Sequence, residues 1–387
     1  MPELASRDVR AYYKLPEQVL FCKKCVTSNQ RPRIEFDEHG VCNACNYAYK
    51  KQFVIDWSER QRELRELLDR HRSRNGRYDV VVPVSGGKDS GFVAHQIKHR
   101  YGMHPLTVTW APHIYTDVGW NNLQSFVHSG FDNILGTPNG RVNRTLTRLS
   151  FELLGDPFQP FIYGQHAFPF RIAVNYKIPL VFYGENGEAE YGGATRNENQ
   201  RGNAIEDFKD FYFSGLPPAD LVKHGIAESD LQSYRVPAYE ELKQTGIEMH
   251  WFGYHNKWLP QENYYYAVEH CGFRANPDGR SEGTYSKYSS LDDRIDGFHF
   301  YLSYIKFGLG RATRDASQEI RSGHITREEA IALVKKYDGE FPGKWFKDFL
   351  DYTELTEERF WEVIDSFRPP HLWERVGGAW RLKHVVS

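Results

Sequence analysis

Hydrophobic positions along the chain fall in short blocks separated by longer amphipathic stretches. The clearest block is Tyr78-Asp79-Val80-Val81-Val82-Pro83-Val84, a continuous β-branched run of the kind that suits a strand buried on both faces. Before it, Asp56-Trp57-Ser58-Glu59 reads as a helix start leading into a charged helix from Arg60 to Arg72. After it, a tight glycine turn opens a helix from Ser90 to Arg100. The alternation then predicts a strand at Pro105–Trp110, a helix at Gly119–His128, a strand at Phe131–Gly136 and a helix at Arg141–Leu154. A helix at Gln165–Lys177, a strand at Pro179–Gly184 and a further strand at Glu248–Tyr254 complete the series. Alternation of this length implies an α/β protein with an open, doubly wound parallel sheet.

From about Glu188 to Asn203 the chain is rich in Gly, Asn, Glu and Arg, which predicts a loop over the sheet edge. The last third reads as helical and aromatic-rich. Within it Thr326-Arg327-Glu328-Glu329 forms a capping box that opens the amphipathic stretch Ala330–Lys336. No internal repeat or low-complexity tract interrupts the pattern. The expected organisation is a four-cysteine module over residues 18–50, an α/β domain over 51–255 and a mostly helical C-terminal region over 256–387.

Composition narrows the class. The 387 residues, 40% hydrophobic and 26% charged, describe an ordered globular chain with length for two or three domains. Forty-nine basic against fifty-one acidic residues leave no global positive field for wrapping nucleic acid. No apolar run reaches the roughly 18–20 residues that span a bilayer, and the start Met1–Asp8 lacks the features of a signal peptide. A cytoplasmic location is expected.

Four of the five cysteines lie in one stretch, as Cys22-x-x-Cys25 and Cys42-x-x-Cys45. A reducing compartment disfavours structural disulfides, so this spacing reads as four thiolates around one structural zinc ion. A redox pair, an iron–sulfur cluster and unliganded thiols are the competing readings. Cys271, on a predicted helix before Gly272, reads as a small core residue.

The most informative motif is Ser85-Gly86-Gly87-Lys88-Asp89-Ser90, between the first buried strand and its helix. The glycines let the backbone turn and aim N–H groups at an anion, the helix N-terminus adds its dipole, and Lys88 adds a full charge. Ser85 and Ser90 can donate to phosphate oxygens, and Asp89 could hold magnesium. The motif is not a Walker A loop, because Val82 stands where that loop needs glycine and Asp89 where it needs Ser or Thr. Nor is it G-x-G-x-x-G, since Gly86 and Gly87 are adjacent.

Ser-Gly-Gly-Lys-Asp-Ser after a first parallel strand resembles the PP-loop ATP pyrophosphatases, a superfamily that includes GMP, NAD, asparagine and argininosuccinate synthetases, tRNA thiolases and lysidine synthetase. Other segments are similar to one branch, the N-acetyl sugar amidotransferases of the WbpG type from bacterial surface-polysaccharide (lipopolysaccharide O-antigen) synthesis. They are the cysteine module, His104–Trp110, Tyr183-Gly184-Glu185-Asn186-Gly187-Glu188, and the run from Ser286-Lys287-Tyr288-Ser289-Ser290 through Lys306-Phe307-Gly308 to Arg311-Ala312-Thr313. The similarity covers about Phe21 to residue 350, with Gly187 an addition to the acidic segment. It implies ATP cleavage between the α- and β-phosphates, adenylylation of an acetamido oxygen, and displacement of AMP by ammonia to leave an acetamidino group. It further implies a nucleotide-linked sugar substrate such as UDP-diacetamido-mannuronic acid. The implied partners are a glutaminase and a barrel-type protein that delivers ammonia.

Candidate residues follow from position. Thr109 and Trp110 end the second strand at the carboxyl edge, where ligands bind in such sheets, and could pack on adenine; Trp110 reads equally as core. Glu185, Asn186 and Glu188 follow another buried strand at that edge. The two carboxylates, with Asp89, are candidates for magnesium or for steering ammonia, against the reading of a solvated turn. Asn186, Tyr191 and Arg196 could extend the sugar site. Lys287, Lys306 and Arg311 suit phosphate or carboxylate anions, or else form a basic surface. Two other functions compete: a tRNA sulfur-transfer PP-loop enzyme, which needs a reactive cysteine near the loop and a basic face, and a nucleotide-binding subunit without chemistry of its own.

Overall fold

The computed structural model describes residues 7–202 and 212–387. The short helix α1 (Val9–Tyr13) precedes the cysteine module, and the module's second cysteine pair runs into α2 (Asn43–Phe53). Helix α3 (Trp57–His71) starts where Asp56 accepts hydrogen bonds from the Ser58 and Glu59 N–H groups, an N-cap that satisfies two otherwise unpaired donors. Then follow β1 (Val80–Pro83), α4 (Lys88–His95, continued by a π-turn over Gln96–Arg100), β2 (Pro105–Trp110), α5 (Asp117–His128), β3 (Asn133–Gly136), α6 (Gly140–Leu154), α7 (Gln159–Tyr176) and β4 (Leu180–Tyr183). After α8 (Gly187–Tyr191) come α9 (Tyr239–Thr245), β5 (Glu248–Trp251), α10 (Phe252–His255) and α11 (Pro260–Cys271).

The five strands form one parallel sheet in the order β3-β2-β1-β4-β5. Val80 and Val82 pack on one face with Leu64, Phe126 and Phe182, while Val81 packs on the other with Leu106, Tyr163 and Val181. Helices cover both faces, which is why every inner position of β1 is apolar. The doubly wound parallel sheet is the expected one. The sheet core also takes in Trp258 and Cys271, so its packing extends past the expected boundary at 255.

The C-terminal region builds a second core. Helices α12 (Asp296–Phe307), α15 (Phe346–Thr353) and α16 (Glu357–Ser366) pack Phe298, Phe349 and Phe360 against Phe151 of α6, while α13 (Arg311–Ser322) and α14 (Arg327–Tyr337) pack Ala316, Ala330 and Val334 on Val26 of the cysteine module. The capping box at Thr326 and Glu329 is formed. A hairpin of β6 (Trp373–Val376) and β7 (Ala379–Leu382) follows, turning at Gly377-Gly378, both at positive φ. Among the described residues, no helix is long and apolar enough to cross a membrane.

The segment expected as a loop from Glu188 to Asn203 opens instead in a helix as far as Tyr191 and from Gly192 to residue 202 is irregular apart from a 3-10 turn at Thr195–Asn197; Asn203 lies outside the described residues. It begins with α8, and Glu188, Ala189 and Glu190 are buried. The physical reason is tertiary. The cysteine module grips the segment through Arg31 on the Gly192 carbonyl at 2.6 Å, Arg33 on Glu188 at 3.2 Å and Lys51 on Glu190 at 2.7 Å. Local composition cannot report such partners.

Candidate active site

The sheet order reverses between β1 and β4, and a crevice forms at the carboxyl ends of strands at such a point. The motif Ser85–Ser90 leaves β1 there, and Glu185 leaves β4 beside it. Gly86 sits at φ +83°, and a Cβ on it would lie 2.5 Å from the Leu123 nitrogen of α5, so only glycine lets the turn tuck under that helix. The Ser85 hydroxyl accepts from the Gly87 N–H at 3.3 Å, and the Ser90 hydroxyl donates to the Gly87 carbonyl at 3.1 Å. Both serines, expected to face phosphate, therefore also shape the loop.

Lys88 pairs with Asp89 and lies 5.4 Å from the Tyr288 ring centre, a cation–π approach. Asn263 of α11 donates to Asp89 at 3.0 Å. Tyr191 donates to Glu185 at 2.8 Å. Burial first, and the Asp89 charge second, push the Glu185 carboxyl above its ordinary range. Asp292 is likewise pushed up to about 7 by burial and by the neighbouring Asp296 and Asp293, offset in part by a hydrogen bond with Ser85. Lys287 is exposed and lies over Tyr264, which stacks on Tyr288 with ring centres 4.7 Å apart. Asp89 and Glu185 thus interact beside the loop and Asp292 bonds to Ser85, but among the described residues only the four cysteines converge as a ready metal-ligand set.

Several sequence candidates are engaged elsewhere. Trp110 is core: it packs on Phe168 and Tyr234, and a Cβ at Gly164 would come within 2.0 Å of its indole. Thr109 is buried and bonded to Asn133 of β3 at 3.1 Å. Asn186 caps α8 and donates to the Asn197 carbonyl at 2.8 Å. Glu188 accepts from the Ala194 N–H at 3.0 Å and from Asn197 besides pairing with Arg33, so it braces the segment and has no open face for magnesium. Lys306 is buried in the C-terminal core, donating to the Leu154 carbonyl at 2.9 Å. Arg311 pairs with Asp315 at 3.1 Å and lies on Phe300. Arg196 is exposed on the module side.

The four cysteines form a buried cluster in which all sulfurs lie within 4.8 Å of one another. Cys22 and Cys45 are 3.9 Å apart and Cys25 and Cys42 3.7 Å. A tetrahedron with metal–sulfur bonds of about 2.3 Å has edges of roughly 3.8 Å, so the donor set fits one tetrahedral ion held by all four thiolates. Cys271 is buried against Gly91, and burial pushes its thiol up to about 12.

Residues 282–386 match the family described as LPS biosynthesis protein WbpG-like, C-terminal domain. This stretch, hereafter the WbpG-like domain, is similar to that family's C-terminal domain. A curated relative, an uncharacterized protein of Methanocaldococcus jannaschii, is 23% identical over 277 residues, covering 59% of this chain and 99% of its own. Among solved structures, the U34-tRNA thiolase NcsA from Methanococcus maripaludis, with its [4Fe-4S] cluster, is similar at a TM-score of 0.31 and 13% identity, covering 79% of this chain and 86% of that one. The NMN synthetase from Francisella tularensis is similar at 0.28 and 11%, covering 58% of this chain and 99% of that one.

The WbpG-like domain does not stand apart from the sheet. It brings Tyr288 to Lys88 and Asp292 to Ser85, and its Arg314 lies 4.0 Å from the ring centre of Tyr191. Asn263, Tyr288, Asp292 and Arg314 are site residues that sequence reasoning missed. For Arg314 a signal existed: Arg314, Ser317 and Arg321 recur at helical spacing on one face of α13.

Proposed function

We propose that this chain is an ATP-dependent amidotransferase that converts an acetamido group of a nucleotide-linked sugar to an acetamidino group, forming AMP and pyrophosphate. One observation carries the reading: the glycine-rich anion loop at the sheet's reversal point lies against Glu185 of the neighbouring strand and against Tyr288 and Asp292 of the WbpG-like domain. A loop of this kind supplies backbone N–H groups, a helix dipole and Lys88 to the departing pyrophosphate.

An amide carbon is a poor electrophile and its oxygen a poor leaving group. In the proposed reaction the acetamido oxygen attacks the α-phosphorus of ATP, the α–β bridging bond breaks, and pyrophosphate leaves. Ammonia adds to the imidate carbon, the C–O bond breaks, and AMP carries the oxygen away. Magnesium, when bound, would neutralise phosphate charge, and Asp89 and Glu185 are its assigned holders, with Asp292 a further carboxylate beside them. As the alternative to holding magnesium, Glu185, above its ordinary range without a metal, is suited to take the proton that ammonia loses. The cysteine cluster is assigned a structural zinc ion, ammonia is assigned to a glutaminase working with a barrel-type partner, and the protein is assigned to the cytoplasm. The sulfur-transfer alternative needs a reactive thiol beside the loop, and Cys271 is packed against helix α4 with its proton held tightly.

The test follows α-labelled ATP with magnesium, ammonium and UDP-diacetamido-mannuronic acid, resolving AMP from ADP and weighing the sugar. AMP with exchange of O for NH in the sugar is expected, and Asp89→Ala should abolish both. AMP formation only with tRNA and a sulfur donor would overturn the sugar reading.

A further inference from the structure

A cavity of about 120 Å³ lies between the cysteine module and the WbpG-like domain, lined by Arg31, Tyr191, Phe300, Arg314, Ser317 and Arg321 among others, with no carboxylate in its wall. The three arginines come from two separate parts of the chain. Arg31 leaves the module and spends its Nε on the Gly192 carbonyl at 2.6 Å. Arg314 lies on Tyr191, and Arg321 donates to Gln318 at 3.0 Å and approaches Cys25 Sγ at 3.8 Å. Among the described residues, none of the three forms an ion pair with a carboxylate; the nearby acidic groups Glu188 and Asp315 pair with Arg33 and Arg311 instead.

Two polar groups at this cavity lack partners. Ser317 is 2% exposed, and among the described residues neither its hydroxyl nor the Arg321 Nε has a hydrogen-bond partner. Buried polar atoms in native proteins are nearly always satisfied, so a hydroxyl and an N–H left open on the same wall mark a place where a ligand supplies the acceptor. The like charges point the same way. Burial, then Arg314, Arg321 and Arg33, lower the Arg31 guanidinium to about 9. Against burial, Tyr191, Glu185 and Asp315 hold Arg314 above its ordinary range, so the uncompensated charge is that of Arg31. An anion in the cavity would relieve that repulsion and accept forked hydrogen bonds from the guanidinium groups.

We propose that this cavity binds an anionic group, carboxylate or phosphate, of the acceptor substrate, with Arg31, Arg314, Ser317 and Arg321 as specificity-determining residues. The placement is apt because Tyr191 joins the two sites: its ring lies under Arg314 and its hydroxyl donates to Glu185. The assignment to acceptor substrate rests on the amidotransferase reading, whereas the anion site itself does not.

Binding measured by calorimetry without ATP separates the sources. The probes are UDP-N-acetylglucosamine, its 6-carboxylate UDP-N-acetylglucosaminuronate, and inorganic phosphate. Preference for the uronate by about tenfold or more, lost in Arg314→Gln, assigns a carboxylate. Comparable binding of both nucleotides and of phosphate, again lost in Arg314→Gln, assigns a phosphate. Ser317→Asp serves as a second variant, since it places a carboxylate among the arginines: it should abolish probe binding and raise the melting temperature. Unchanged probe binding in both variants would place the anion on the Ser85–Ser90 loop and overturn the proposal, as would no binding of any probe to the parent. Arginine-dependent probe binding without AMP formation would leave the cavity standing and remove the sugar-amidotransferase reading alone.

Discussion

Lys51 and Glu190 offer the sharpest test of how the cysteine module is fastened to the sheet. Their side chains are 7% and 4% exposed, and Lys51 donates to both Glu190 oxygens at 2.9 and 2.7 Å and to the Trp258 carbonyl at 3.0 Å. Lys51→Met strands a buried carboxylate, a loss that costs about 3–5 kcal/mol. Gln318 still donates to Glu190 at 3.3 Å, which sets the expectation at the lower end, near 3 kcal/mol. Glu190→Leu alone strands the ammonium group and should cost a similar amount. Lys51→Met with Glu190→Leu removes both charges and leaves mainly the Trp258 carbonyl without its donor, a loss of about 1 kcal/mol. Urea unfolding of the four proteins therefore gives a double-mutant cycle with a coupling of several kcal/mol. A Lys51→Met loss under about 1 kcal/mol, or additive single losses, would refute the inference that this pair is the buried fastening.

Two further outcomes follow from the site. Glu185 holds its proton more tightly folded than unfolded, so folded-state stability is lost as pH rises from the ordinary value of 4.5 through the raised one. Glu185→Gln should accordingly melt higher than the parent at about pH 8, match it at about pH 4, and form amidine more slowly by about a hundredfold or more; a lower melting temperature at about pH 8 would contradict the assigned shift. Cys42→Ser should reduce bound metal below one ion per chain and lower the melting temperature, and chelation of the parent should do the same; indifference to chelation would remove the structural metal.

The sheet was legible because its strands are buried on both faces. Apolar runs at Val80–Val84 and Pro179–Gly184, and the β-branched alternation Pro105–Trp110, mark strands, and the observed strands lie inside them. Helix α7 begins at Gln159, six residues before the expected Gln165, because Pro160 and Gly164 resemble turn residues locally. Pro160 falls in the first helical turn, where its missing N–H has no role, and Gly164 is small because Trp110 lies on it. The glycine turn and the cysteine spacing carry their geometry within a few residues and could be read directly. Arg314 and Ser317 could not be assigned in that way, since their meaning depends on Arg31, which reaches the same cavity from the other end of the chain. Lys306 illustrates the opposite error: a basic residue in a resembling segment suggested an anion, but its ammonium group satisfies the Leu154 carbonyl at the C-terminal end of α6.

The arrangement of charge gives the two halves of the site different tasks. Beside the loop, burial first and like charge second hold two carboxyls above their ordinary range, Glu185 next to Asp89 and Asp292 next to Asp296 and Asp293. A divalent cation relieves that cost, so the acidic side suits phosphates that arrive with their metal. Across Tyr191, Arg31, Arg314 and Arg321 crowd positive charge with no carboxylate in the wall. That side suits an anion arriving without a metal. A cation–phosphate complex and a bare anion would each bind poorly in the other's place, so the proposed positions of the two substrates differ in charge on the two sides of Tyr191. Arg321 also approaches Cys25 Sγ, which joins the anion cavity to the cysteine cluster. A tetrahedral dication with four thiolates carries two net negative charges, and Arg321 sits where it offsets part of that charge while leaving its Nε open to the cavity. The cysteine module therefore has a physical reason to persist beyond scaffolding. It supplies Arg31 to the cavity wall and, through Cys25 Sγ at 3.8 Å, contacts Arg321.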